Sequence, residues 1–127
     1  MSKRKFEKLL LVAVDEGLSS LGESSRQAIY SYLDKNFRIK RQEIPRKIEA
    51  FAGAIENIFG QGASLLEILI MQKLHDKVGQ QIKWQTSKDL TLAEYVSVAK
   101  QSFLNKEEIN EEQEEFVQCK QILTENQ

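Results

Sequence analysis

Few side chains in this 127-residue chain have neighbours suited to bond-making chemistry. His75 is the only histidine, and a general base or metal ligand needs partners at hydrogen-bonding or coordination distance. One helical turn to either side stand Met71 and Gly79, while Asp76 is adjacent and projects elsewhere on a helix. Ser19-Ser20 and Ser24-Ser25 bracket Gly22 without a nucleophile-elbow pattern, so helix capping accounts for them. Gly60-Gln61-Gly62 precedes a helical segment and offers N–H groups to an anion. It lacks the Lys-Ser/Thr of a phosphate-binding loop and any preceding strand. Cys119 is the only cysteine, so neither an internal disulfide nor a cysteine-based metal site is available, and a lone thiol suits a reducing compartment. Asp15-Glu16 and the C-terminal glutamates read as exposed helix faces. The expectation is a non-enzymatic chain with no catalytic, metal-binding or cofactor-binding residues.

The richest polar constellation is basic. Lys35, Arg38, Lys40, Arg41, Arg46 and Lys47 fall within one short window, opposed there only by Glu43. Such a cluster grips nucleic-acid phosphates or an acidic protein surface, or is a solvated turn. Reading a DNA groove needs a polar recognition helix. The segment after this turn mixes Glu49, Glu56 and Asn57 with Arg46 and Lys47, which suits that role poorly.

Four apolar stripes at helical spacing must position these groups. Phe6, Leu9, Leu10, Val14, Leu18 and Leu21 mark a first helix over about residues 4–21, which Gly22 is placed to end. Leu11, Val12 and Ala13 widen its apolar face beyond what one neighbour covers. Ser24 and Gln27 fit a capping box, followed by Ala28, Ile29, Tyr32, Leu33 and Phe37. Pro45 is expected at the first turn of a third helix carrying Ile44, Ile48, Phe51, Ala52, Ile55, Ile58 and Phe59. The fourth segment is nearly continuous in apolar residues. Leu66, Ile70, Leu74 and Val78 recur at i+4, which decides for a helix over a buried strand.

After Gly79 the composition changes. Residues 80–90 read as a polar connector. Thr91 to Glu94 is a second capping box, opening a helix through Tyr95, Val96, Ala99, Phe103 and Leu104. A last thin seam holds Ile109, Phe116, Val117 and Leu123, too narrow to fold alone. The expected fold is all-α: a four-helix core bundle over 1–79, a connector over 80–90, and one or two further helices over 91–127.

Net charge is −1, which argues against a protein that mainly coats nucleic acid or an anionic membrane. Residues 1–79 hold 13 Lys and Arg against 10 Asp and Glu; residues 80–127 hold 5 against 9. The basic start Lys3-Arg4-Lys5 precedes only a short apolar run, Leu9 to Val14, closed by Asp15-Glu16, unlike a signal peptide. No apolar run approaches the roughly 20 residues of a membrane span. A cytoplasmic location is expected.

Several of these residues together resemble a known group. The run Asp15-Glu16-Gly17-Leu18-Ser19-Ser20-Leu21-Gly22-Glu23-Ser24 is followed by Gln27-Ala28-Ile29-Tyr30, by Ile39-Lys40, and by Glu43-Ile44-Pro45. Ala54-Ile55-Glu56-Asn57-Ile58-Phe59-Gly60, Gly62-Ala63 and Leu66-Glu67 complete the pattern. Over residues 6–79 this resembles small archaeal domains that act as outputs in archaeal, especially thaumarchaeal, signal transduction. The resemblance implies a helical, non-catalytic module and assigns no functional residue.

The functional expectation is a protein-interaction module in archaeal signalling or regulation, self-associating as a homodimer. Leu11, Val12, Phe116 and Leu123 are its candidate self-association surface. A nucleic-acid-binding regulator using the turn 35–47 and a small-ligand sensor are the alternatives.

Overall fold

A computed structural model describes residues 2–78 and 90–106. They form an all-α protein, with no strand among the described residues. The helices are α1 (Ser2–Ser19), α2 (Glu23–Phe37), α3 (Ile48–Phe59), α4 (Ala63–Val78) and α5 (residues 92–106). Short 3-10 turns occupy Arg41–Arg46 and Gly60–Gly62.

Among the first four helices, the packing of α1 on α4 is the most extensive. Phe6, Leu10, Val14 and Leu18 are fully buried on one side of it, as are Ile70 and Leu74 on the other. The i+4 stripe that selects a helix for α4 is thus its buried face, with Val78 half-buried at its end. The closest approach lies at Gly17. A Cβ added there would stand 2.6 Å from Ile70 Cγ1, so any larger residue would force the buried Ile70 side chain to move.

Helix boundaries differ from expectation at three places, each for a local reason. α1 ends at Ser19 and unwinds through Leu21 N–H to Leu18 C=O (3.0 Å) and Gly22 N–H to Ser19 C=O (2.9 Å). Gly22, at φ 106°, then reverses the chain and serves as N-cap of α2, its carbonyl accepting from Arg26 N–H at 3.0 Å. Ser24 therefore lies inside the helix and forms no capping box. Glu23 occupies the first turn instead, favourable with the helix dipole. Pro45 sits within the 3-10 turn, not at the start of α3, which opens at Ile48.

The turn between α2 and α3 is anchored by apolar residues that its basic composition obscures. Ile39 and Ile44 are buried in the core. Arg38 enters the left-handed region at φ 55°, and its N–H and that of Ile39, the latter at 3.1 Å, both close back on Leu33 C=O, which ends α2.

The stretch Ile48–Val78 matches a membrane span in length and hydropathy taken as one piece. Gly60, at φ 59° and ψ −128°, divides it into helices of 12 and 16 residues that pack on each other. Each piece falls short of the roughly 20 residues a span requires.

α5 shares the same core. The capping box forms as expected: Thr91 N–H donates to Glu94 Oε1 at 3.0 Å, and Glu94 N–H to Thr91 Oγ1 at 3.1 Å. Leu92, Tyr95, Val96, Ala99 and Phe103 make its buried stripe. Phe103 meets Phe6 of α1 with ring centroids 5.8 Å apart. Tyr95 meets His75 of α4, its hydroxyl 3.3 Å from Nδ1. The final apolar seam, with Phe116 and Leu123, lies outside the described residues.

Candidate interaction surfaces

The basic turn is positioned by an acid on another helix. Asp15, on α1, accepts from Arg41 Nε at 2.9 Å and from Arg41 Nη2. It also accepts from the Tyr30 hydroxyl of α2 at 2.5 Å and faces Arg26 Nη1 at 3.6 Å. Burial is the largest single influence on the Asp15 carboxyl and pushes it up. The hydrogen bonds from Arg41 and Tyr30, with the charges of Arg41 and Arg26, together outweigh it and hold the group below its ordinary value. Tyr30 is raised by burial and by Asp15. Arg26 forks onto Glu23 through Nε at 3.0 Å and through Nη2, and lies 5.7 Å from the Tyr30 ring centre.

The six cations of the turn consequently divide. Arg41 is committed to Asp15, Arg46 faces Glu7 at 3.8 Å, and Lys47 pairs with Glu43 at 3.2 Å. Glu43 also accepts from Lys40 N–H at 3.0 Å, the main cause of its lowered carboxyl. Lys35, Arg38 and Lys40 are exposed, and their side chains form no ion pair among the described residues, although the charge of Lys40 also acts on Glu43. Sequence spacing groups all six; the fold spends half of them on fastening the turn.

His75 is buried against Tyr95, whose hydroxyl is pushed up to about 12 by burial and by Asp76. Among the described residues no group of three or more His, Cys, Asp or Glu side chains is arranged to hold a metal. Cys119 lies outside them. Of the candidate self-association residues, Leu11 is half-buried against the core and Val12 stands 43% exposed.

Two grooves escape a reading of the sequence because each needs two helices. Between α2 and α3 run two adjoining depressions of about 410 and 400 Å³ that share Ala28, Ile29 and Ile58. Leu21, Tyr32 and Phe59 extend the lining, Ser25 and Asn57 are its only polar members, and no charged side chain enters it. Between α3, α4 and the start of α5 lies an open groove of about 670 Å³. Its lining includes Glu49, Glu56, Glu67 and Glu94 but no Lys or Arg. The seven-residue spacing of Glu49 and Glu56, with Ala52 and Gly53 between them, is the one signal of this groove visible in the sequence. What closes the other wall is α5, brought there by tertiary packing.

Comparison of the chain with protein-family models, curated proteins and solved structures finds no match in any of the three.

Proposed function

We propose that this chain is a non-enzymatic protein-interaction module of a regulatory system, and that it self-associates. The α2–α3 groove carries the reading. Leu21 and Tyr32 remain 45% and 43% exposed along an uncharged depression, and residues 57–66 beside it contain no charged side chain. A contiguous apolar surface on a small domain marks an interaction site. An uncharged one meets its own copy without like-charge repulsion. The resemblance of residues 6–79 to archaeal signalling output domains supports a place in signal transduction.

Light scattering tests this. A mass above the 14.6 kDa of one chain is expected at micromolar concentration, falling to that value on dilution. Leu21→Glu with Tyr32→Glu, both at exposed positions, is expected to abolish the association while circular dichroism keeps its helical signal. A wild-type monomer throughout sinks the reading.

One observation favours nucleic acid as a second reading: Lys35, Arg38 and Lys40 are exposed and form no ion pair among the described residues. That reading requires a low-salt gel shift lost when these three become Gln.

A further inference from the structure

The groove between α3 and α5 combines three properties. Its walls are lined by small side chains, Ala52 and Gly53 from α3 and Ala93 from α5, so a third element can approach closely. Val98 on α5 stays 42% exposed at its edge, an apolar contact left open. Its carboxylates are uncompensated: Glu49, Glu56 and Glu67 form no ion pair among the described residues. Burial, and after it the charge of Glu56, push the Glu67 carboxyl up, which places Glu56 and Glu67 within electrostatic reach of each other.

The complement of such a surface is a cation on an apolar stem. Glu49 and Glu56 lie two turns apart on one helix, about 10 Å along its axis. A second helix laid beside α3 matches that distance with basic residues at i and i+7, and its intervening i+3 and i+4 positions face the groove floor. The chain's own C-terminal segment is excluded by charge, since residues 107–127 hold seven Glu and a single Lys.

We propose that this groove docks a cationic amphipathic helix of a partner protein, with Lys or Arg at i and i+7 on Glu49 and Glu56 and apolar side chains between Ala52 and Val98. This is recognition by a helix laid in a groove. It uses a different face of α3 from the self-association surface and stands whether or not the chain dimerises.

The test titrates the full chain into a labelled helical peptide bearing Lys at i and i+7 and Leu at i+3 and i+4, read by fluorescence anisotropy. The control peptide has the same composition with its lysines moved off that face. The matched peptide is expected to bind more tightly than the control, and Glu49→Gln with Glu56→Gln to weaken it about tenfold. Gly53→Leu is a second variant. A Cβ at Gly53 meets nothing within 4 Å, so the backbone there has room for a side chain, and leucine is expected to fill the groove and block binding while leaving the helical spectrum intact. Equal binding of the two peptides, indifference to the glutamine pair, undiminished binding to Gly53→Leu, or no binding at low ionic strength would each overturn the proposal.

Discussion

Asp15 illustrates how a single side chain fixes a surface that looks functional in sequence. It gathers Arg41 from the turn and Tyr30 and Arg26 from α2, so one carboxylate fastens three segments. Its folded-state pKa is lowered, and the sign of the consequence follows. A carboxyl that binds protons less readily when folded contributes stability above its unfolded value of about 3.9 and loses it as pH falls through the lower folded value. Stability measured by urea midpoint should therefore hold at neutral pH and decline below about pH 4, with Asp15→Asn showing a flatter acid limb. At neutral pH the same substitution should cost about 1–2 kcal/mol, because the partly buried Tyr30 hydroxyl and the Arg41 guanidinium lose a charged acceptor. An unchanged acid limb would remove Asp15 from this role.

At the scale of elements, α1 and α4 meet where Gly17 faces Ile70. The Cγ1 that an added Cβ would strike belongs to a fully buried, β-branched side chain that is stiff at χ1, so making room for it disturbs the packing around Ile70. Gly17→Ala gains helix propensity of about 0.5–1 kcal/mol. Overpacking costs about 1–3 kcal/mol and wins, so the urea midpoint should fall. The helices themselves were legible because period and i+4 recurrence report burial directly: Leu66, Ile70 and Leu74 follow the pattern, as do Thr91 and Glu94 at the start of α5. Turn details were less legible. Gly22 has the φ freedom to serve either the end of α1 or the start of α2, and only the path of the chain decides. Ile39 and Ile44 were hidden among charges, since an isolated isoleucine in a basic run carries no period. The grooves needed knowledge of which helices lie side by side, which no local pattern encodes.

The whole molecule is held together across its change in composition. Residues 1–79 are net basic and residues 80–127 net acidic, yet Phe6 packs on Phe103 and His75 meets Tyr95 within one continuous core. Truncating Phe103 to alanine removes a buried ring from an α1–α5 contact and should cost about 3 kcal/mol. Because the core is shared, the loss should appear as one cooperative transition at lower denaturant when read by far-ultraviolet and by near-ultraviolet circular dichroism. Two separated transitions would mean that α5 melts independently.

That shared core bears on portability. A chain built only from the counterpart of residues 6–79 inherits the imprint of α5: an open seat at Phe6 and a His75 no longer covered by Tyr95. It must furnish a substitute lid, from a neighbouring module or a second subunit, or replace both residues with ones that tolerate water. The identities at positions 6 and 75 in any such shorter chain thus reveal whether it lives alone or under cover.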